Sequence, residues 1–189
     1  MISEMDFHTD TGRPCLDLAA TLGDRFGSPL ERLPDPAALE DWFASVAGKP
    51  LGRSVTQPEL DEARALRDSI GRIADRLYDG EMPDAEDVDR INRYAAIFPP
   101  PPRLTPDGRG VSQSDDWSLD AILGEVARDA IDLLSGPDFA RVKRCEAEDC
   151  SVLFVDYSRP GKRRWCSMTR CGNRAKKRTY NARNRTTGG

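Results

Sequence analysis

The stretch RVKRCEAEDCSVLFVDYSRPGKRRWCSMTRCGNRAKKRTYNARNR, residues 141–185 of the 189-residue chain, decides the fold of its C-terminal part. Four of the five cysteines lie here as two pairs, Cys145 with Cys150 and Cys166 with Cys171, and fifteen residues separate the pairs. Within each pair four residues intervene. Thiolates are soft ligands, and four of them arranged tetrahedrally suit Zn²⁺. Since two cysteine pairs on two short turns commonly build such a site, the spacing predicts zinc binding.

Disulfide bonds and free thiols are the alternatives to a zinc site. Disulfides persist in an oxidising compartment. The first fourteen residues, MISEMDFHTDTGRP, are acidic and lack the apolar segment of a secretory signal. We therefore expect a cytoplasmic protein, in which reduced cysteines favour metal binding over disulfide formation.

The predicted metal site has a structural role. Catalytic zinc usually keeps one coordination position for water or substrate. His8 is the only histidine and lies far from the cysteines in the sequence, and no Asp or Glu is placed to form an open site. We therefore expect sulfur atoms to fill all four positions.

The residues between the cysteines predict the local fold. Residues 139–143 alternate in polarity and residues 151–157 are β-branched and aromatic, so both segments are expected to form strands. A Pro-Gly turn falls within residues 158–162, and helix formers follow Cys171. This order of two-cysteine turn, hairpin and helix is typical of a treble-clef-like finger. Its small aromatic core is expected to consist of Phe154, Trp165 and Tyr180.

The same stretch resembles a known family, the CGNR zinc finger. The resemblance covers roughly the last quarter of the chain and is carried by the cysteines together with Phe154, Asp156, Arg163, Trp165, Ser167, Met168, Gly172, Asn173, Arg174 and Lys176. In that family the finger follows an N-terminal domain called ABATE. The resemblance implies a bacterial, DNA-binding transcription regulator connected with stress.

The beginning of the chain resembles the beginning of the ABATE domain. The matching residues are Gly12-Arg13-Pro14-Cys15-Leu16-Asp17. Leu18 and Ala20 stand where the family has an aromatic residue and an asparagine, and this departure argues against a polar ligand site there. We expect Cys15 to be a small buried side chain and Asp17 to act as a helix cap or hydrogen-bonding group.

Charge is distributed unevenly along the chain. Residues 141–185 contain fourteen Lys or Arg and four Asp or Glu, a net charge of +10, whereas residues 1–140 have a net charge of −14. Zinc with four thiolates contributes −2, which leaves the finger at about +8. A basic module beside an acidic domain is typical of a protein that binds a polyanion. Basic runs near a chain terminus are also often solvated tails, so charge alone leaves both interpretations open.

The helix after Cys171 is the candidate for contact with DNA bases. Intervals of four, three and four residues place Arg174, Arg178, Asn181 and Arg185 on one face, and Arg and Asn suit guanine and adenine edges in the major groove. We expect Arg174, Arg178 and Arg185 to approach the groove of double-stranded DNA. The phosphate contacts are assigned to Lys162, Arg163, Arg164, Lys176, Lys177 and Arg183.

The N-terminal part shows the patterns of four helices. Asp35-Pro36 begins one that Gly48 and Pro50 end, and Thr56 with Glu59 forms the capping box of a second that ends at Gly80. A third follows Pro83-Asp84 and ends before the proline tract 99–102, with Phe98 expected on its buried face. A fourth spans residues 118–135. Charged residues of the second helix are expected on solvated faces: Arg64, Arg67, Arg72 and Arg76.

Together these patterns predict a mainly α protein. Residues 1–138 are expected to form an α-helical bundle domain with a short β-hairpin at residues 103–113. Residues 139–189 are expected to form the treble-clef-like four-cysteine zinc finger, with its own β-hairpin and helix. The joint at Gly136-Pro137 is short, so the finger should pack against the bundle.

Several classes of function lack their motifs. The chain contains no GxxxxGK[ST], no GxGxxG and no nucleophile elbow, and one histidine cannot supply a catalytic triad and a metal site together, so we do not expect an enzyme. No apolar run approaches the length of a membrane helix. The rivals to DNA binding are a protein-interaction module and an RNA-binding accessory factor that use the same finger. The N-terminal domain is expected to sense a small-molecule effector or to mediate self-association, for example as a homodimer.

Overall fold

The computed structural model describes residues 6–48, 51, 53–112 and 117–186. The N-terminal elements in this part of the chain are α1 (Pro14–Ala19), β1 (Leu22–Gly23), β2 (Leu30–Glu31), α2 (Pro36–Trp42), α3 (Gln57–Tyr78), α4 (Ala85–Ala95), β3 (Arg103–Leu104), β4 (Val111–Ser112) and α5 (Leu119–Ser135). The C-terminal elements are β5 (Val142–Arg144), β6 (Leu153–Val155) and α6 (Asn173–Thr186). Each sheet in the described part of the chain pairs two short antiparallel strands, and helices make up most of the regular structure. The predicted mainly α fold is therefore confirmed.

Local hydrogen bonds explain where the helices of the bundle begin. The Asp35 carboxylate accepts from the Ala38 N–H at 2.9 Å, and the Ser118 hydroxyl accepts from the Ala121 N–H at 3.1 Å. Thr56 and Glu59 form the predicted capping box at the start of α3. These side chains satisfy backbone N–H groups that the first turn of a helix leaves without partners.

The bundle is held together by apolar side chains from all five N-terminal helices. Its largest fully buried side chains include Trp42 and Phe43, which meet edge to face with ring centroids 5.4 Å apart. Phe43 begins a π-helical turn, Phe43–Ala47, that continues α2 as far as Gly48. Gly48 adopts a left-handed conformation with φ +62°, as a helix-ending glycine does. Pro50, the other predicted end signal, lies outside the described residues.

Two small hairpins project from the bundle. The β3–β4 pair confirms the hairpin predicted at residues 103–113, although Gln113 itself lies outside the described residues. The β1–β2 pair aligns Leu22 with Glu31 and was not predicted. Its strands are two residues each, too short to show an alternating pattern in the sequence.

The chain between the bundle and the finger differs from the prediction. A 3-10 helix spans Pro137–Arg141, where residues 139–143 were expected to form a strand, and β5 begins only at Val142. Pro137 supplies the fixed φ that suits the first position of such a turn. β5 then pairs with β6 and aligns Val142 with Val155.

The finger packs against the bundle, as its short joint predicted. Val142, Leu153 and Val155 belong to the same buried cluster as the bundle core. Arg144 forms ion pairs with Asp79 at 2.9 Å and with Asp75 at 3.3 Å, at the C-terminal end of α3. Apolar burial and charge pairing therefore act together at this junction.

Two side chains of the bundle differ in solvent exposure from what the helical pattern predicted. Phe98 is 75% exposed, and the Arg128 guanidinium lies 5.0 Å from its ring centroid. Arg67 was expected on a solvated face, but its side chain is 3% exposed and pairs with Glu31 of β2 at 2.6 Å. The unpredicted β1–β2 hairpin covers this part of α3, which explains the burial of Arg67.

None of the helices in the described ranges combines the length and the apolar character that crossing a bilayer requires.

Gly124→Ala tests the close approach of α5 to the end of α4. A Cβ atom at this position would lie 2.3 Å from the Ile97 carbonyl oxygen and 2.9 Å from that of Tyr94. We expect the variant to lose about 1–3 kcal/mol of unfolding free energy in urea titrations followed by circular dichroism. The control is Glu125→Ala at the neighbouring exposed position. Where no neighbouring atom is in the way, replacing glycine by alanine in a helix raises the free energy of unfolding by up to about 1 kcal/mol. A more stable Gly124→Ala variant would therefore contradict the described packing.

Candidate zinc centre and the basic surface around it

The four predicted cysteines come together in space. Their sulfur atoms all lie within 4.8 Å of one another, and two of the separations are 3.8 Å, from Cys150 to Cys166, and 3.5 Å, from Cys166 to Cys171. A zinc ion with four sulfur ligands at about 2.3 Å in a tetrahedron requires sulfur separations of about 3.8 Å. The described sulfur positions therefore fit Zn²⁺.

Backbone hydrogen bonds place each cysteine. Cys145 follows β5, and its N–H donates to the Val152 carbonyl at 3.0 Å, which closes the first two-cysteine turn. Cys166 returns from the loop, and its N–H points at the Cys145 sulfur at 3.5 Å. Cys171 lies in a π-helical turn, Met168–Gly172, that leads directly into α6. The last ligand therefore sets the direction in which α6 leaves the finger.

The sulfur cluster is shielded and electrostatically supported. Cys166 and Cys171 are 0% and 1% exposed, and Cys150 is half-buried. The Arg174 guanidinium donates to the Cys171 sulfur at 3.2 Å. Such a donor stabilises the negative charge of a zinc thiolate cluster and orients the ligand.

Asp156 organises the loop between the two cysteine pairs. Its buried carboxylate accepts from the Lys143 ammonium and the Arg163 N–H, both at 2.8 Å, and from the Ser158 N–H at 3.0 Å. The hydrogen bond from Lys143, with help from Ser158 and Arg163, holds the pKa of Asp156 well below its usual range. One carboxylate thus ties β5, the turn at Ser158 and the segment that returns to Cys166 together.

Arg163 lies against the finger instead of pointing into solvent. Its guanidinium donates to the backbone carbonyls of Trp165 at 2.9 Å and Cys166, and to that of Asp10 at 2.8 Å. Its Cζ lies 4.5 Å from the centroid of the Phe154 ring. These contacts give Arg163 a structural role, since they connect the finger to the N-terminal segment.

The aromatic side chains of the finger differ in burial. Phe154 is 0% exposed and Trp165 packs against the cysteine cluster, as predicted. Tyr180 is 66% exposed, so its assignment to the finger core was wrong. Tyr180 lies on α6, nine residues beyond the last ligand.

Comparison with protein families agrees with this arrangement. The ABATE family model, described as "Putative stress-induced transcription regulator", matches residues 12–137, which is more than half of the chain. The chain belongs to the ABATE family. The CGNR zinc finger model matches residues 141–184, which include all four cysteines, and the cluster is accordingly a zinc site. No curated protein matches the chain.

The predicted nucleic-acid contacts of this ABATE protein fall into three groups. Arg163 and Arg174 are half-buried and donate hydrogen bonds within the finger. Five cations are exposed: Lys162, Arg164, Lys176, Lys177 and Arg178. Arg183 and Arg185 lie on α6, but their side chains are outside the described residues.

Two of the exposed arginines pair with acidic residues of the finger. Arg164 pairs with Glu146 at 2.6 Å, and Arg178 pairs with Asp149 at 2.9 Å. Arg164 and Arg178 are 63% and 52% exposed, so these ion pairs are solvated and weak. A phosphate could therefore replace either carboxylate at little cost in free energy.

Sequence reasoning missed two residues near the zinc centre. Arg170 precedes the last cysteine ligand, and its guanidinium donates to the carbonyls of Asp6 and Phe7, both at 2.8 Å. His8, judged remote because of its sequence separation, is 4% exposed beside the finger. The position of Arg170 next to a ligand was an available signal, whereas nothing in the sequence connected His8 to the finger.

Cys166→Ser tests the zinc assignment. The hydroxyl is a poor substitute for a thiolate, so we expect purified protein to lose its single equivalent of zinc and the finger to unfold locally. Zinc content by elemental analysis and proteolysis around Trp165 measure the two effects. The control is Cys15→Ala, which removes a fully buried thiol that lies in the bundle core. Full zinc content in Cys166→Ser would contradict the site.

Arg174→Gln tests the support that Arg174 gives to the cluster. Loss of the donor to Cys171 should weaken zinc binding roughly tenfold, as removal of groups that orient metal ligands typically does. Competition with a chromophoric chelator measures the change. Arg159→Gln, an exposed arginine in the finger turn, is the control. Equal zinc affinity in the two variants would show that Arg174 does not stabilise the metal site.

Proposed function

We propose that this protein is a transcription regulator that binds double-stranded DNA through its zinc finger. The observation that carries the proposal is a zinc-held helix, α6, whose cations Lys176, Lys177 and Arg178 are exposed. The finger has a net charge of +10 beside an acidic N-terminal part of −14. Such an asymmetry attracts the finger to a polyanion and keeps the remainder of the protein away from it.

The proposed DNA contacts are the predicted cations that are not engaged in holding the finger together. Lys162, Arg164, Lys176, Lys177 and Arg183 are assigned to phosphates, since positively charged side chains fix the position of a protein on the duplex. Arg178 and Arg185 are assigned to base edges in the major groove, where arginine recognises guanine. Arg163 and Arg174 are omitted, because their described contacts hold the finger together.

The other parts of the proposal concern the whole chain. Residues 1–138 form the ABATE-like domain, which senses an effector or mediates self-association, and residues 139–189 form the finger. The protein acts in the bacterial cytoplasm and not as an enzyme. Support for the regulatory role comes from the match to the ABATE family, whose model is described as a putative stress-induced transcription regulator, and from the match to the CGNR zinc finger.

An RNA-binding factor and a protein-interaction module are the rival functions. Interaction with the acidic half of a second copy is the least supported, because Asp75 and Asp79 already pair with Arg144 of the same chain. Competition between duplex DNA and duplex RNA for the zinc-loaded protein separates the two nucleic acids. Size-exclusion chromatography at low and high salt, without nucleic acid, detects self-association.

DNA binding should depend steeply on salt. With one phosphate neutralised by each of the five assigned cations, the logarithm of the association constant should fall with the logarithm of salt concentration at a slope of about −4.5. Lys162→Ala and Lys176→Ala should each reduce the slope by about 1 and weaken binding to all sequences. Fluorescence anisotropy with a labelled duplex measures both quantities.

The control for this experiment is Arg93→Gln, which removes an exposed cation from α4, on the bundle. It should leave the affinity and the slope unchanged. Zinc-stripped protein should lose binding, since the metal positions α6. Affinity that does not change between low and moderate salt, or that survives removal of zinc, would overturn the proposal.

A further inference from the structure

A short strap precedes α1 and lies between the bundle and the zinc finger. This N-terminal strap, residues 6–12, contains no helix or strand. Thr11 fixes its C-terminal end, because the Thr11 N–H and hydroxyl both donate to the buried Asp17 carboxylate, at 3.2 and 2.8 Å. The Thr11 carbonyl in turn accepts from the Val155 N–H of β6 at 2.7 Å. Thr11 is therefore bound to both halves of the molecule.

The finger holds the other end of the strap through two arginines. The Arg170 guanidinium donates to the carbonyls of Asp6 and Phe7, both at 2.8 Å. The Arg163 guanidinium donates to the Asp10 carbonyl at 2.8 Å, but it also binds two carbonyls of the finger itself. Among the described residues, the hydrogen bonds of Arg170 go to the strap alone. Release of the strap would therefore free Arg170 and leave Arg163 in place.

Arg170 belongs to the zinc-held part of the basic surface. It immediately precedes the zinc ligand Cys171, in the π-helical turn that leads into α6. The exposed cations Lys176 and Lys177 follow within two turns. A neutral carbonyl orients a guanidinium without neutralising its charge, whereas a phosphate adds the opposite charge and accepts two parallel hydrogen bonds. A phosphate is thus a better partner for Arg170 than the strap carbonyls that it binds.

The strap also carries negative charge where it contacts the finger. Asp6 and Asp10 supply carbonyls to the arginines, so their own carboxylates lie within one side-chain length of those guanidiniums. Both residues are exposed. A nucleic-acid backbone that approached Arg170 would meet these two carboxylates and be repelled. The docked strap therefore lowers the attraction of this edge of the finger for a polyanion.

One aromatic side chain seats this part of the strap on the bundle. Phe7 is half-buried and packs against the apolar core of the bundle. The neighbouring His8 is buried, but its Nδ1 has no hydrogen-bond partner among the residues that the structure describes, which reduces the free energy gained on docking. Residues 6–10 therefore depend on Phe7 and on the two arginines, and they lack the internal hydrogen bonds of a helix or strand.

We propose that residues 6–10 are an autoinhibitory segment and that Arg170 is a further phosphate contact that they cover. In the docked state the strap carbonyls hold Arg170 and the strap carboxylates repel DNA. In the released state Arg170 binds one additional backbone phosphate. The inference rests on the proposed DNA binding, since the strap and the DNA compete for the same guanidinium.

Phe7→Ala tests the inference in the full-length, zinc-loaded chain. Loss of the aromatic side chain favours the released state, so the affinity for a labelled duplex should rise several-fold. The salt slope should become steeper by about 0.9, the contribution of one added phosphate. The double variant Phe7→Ala/Arg170→Gln should return to the slope of the unmodified chain. The control is Met82→Ala, which removes a side chain that is 81% exposed on the bundle and should change neither quantity.

Chymotrypsin provides a second measurement, on the unmodified chain. The protease cleaves after aromatic residues, and the docked strap shields the half-buried Phe7 from it. A saturating DNA duplex should accelerate cleavage after Phe7, because phosphate replaces the strap carbonyls at Arg170. Cleavage after Phe98, which is 75% exposed on the bundle, should not change and serves as the internal control.

The outcomes separate this inference from the proposed function. Absence of DNA binding by the unmodified chain would overturn both. DNA binding with equal affinity and slope in Phe7→Ala would overturn the autoinhibitory role alone. Cleavage after Phe7 that is unchanged or slower with DNA would do the same.

A second variant replaces Phe7→Ala if that protein does not retain zinc. Asp6→Asn/Asp10→Asn keeps the aromatic ring and the strap carbonyls and removes the two carboxylates. Its affinity for DNA should rise more than that of Glu81→Gln/Asp89→Asn, which removes two exposed charges from the bundle. An equal rise in the two variants would reduce the effect to net charge and overturn the inference.

Discussion

The tetrahedral arrangement of four sulfur atoms is the constraint on which the finger depends. Among the described residues, the buried cluster around it consists of Ala20, Val152, Phe154 and cysteines, with Ala147 and Trp165 partly buried against it. This is too little apolar surface to hold a module of this size. Zinc replaces the missing core, since it ties the turn after β5 to the turn before α6. The direction of α6, and with it the position of the DNA contacts proposed for that helix, follows from the position of the last ligand.

The arginines of the finger serve two different purposes. Arg163 and Arg170 donate to backbone carbonyls at Asp10, Asp6 and Phe7, so they join the finger to the N-terminal segment. Arg174 supports a zinc ligand. A count of basic residues therefore overestimates the surface available to a polyanion, because part of the positive charge is used inside the protein.

The basic finger and the acidic bundle also attract each other within the molecule. Arg144 pairs with Asp79, and its guanidinium lies 4.7 Å from the Tyr78 ring centroid. On the other side, Arg25 of the bundle donates to the Ser151 carbonyl at 3.2 Å. These contacts fix the finger against the bundle.

The sequence by itself determined the features that depend on neighbouring residues. The starts of α2 and α3 follow from capping hydrogen bonds at Asp35 and Thr56, and the zinc ligands follow from the cysteine spacing. Both features depend on residues that lie close together in the sequence. Only the tertiary structure decided the burial of Arg67, the exposure of Phe98, the inward turn of Arg163 and the hydrogen bonds from Arg170 to the N-terminal segment. Those contacts join residues up to 164 positions apart, and the energies that select them come from packing and desolvation, which no local pattern encodes.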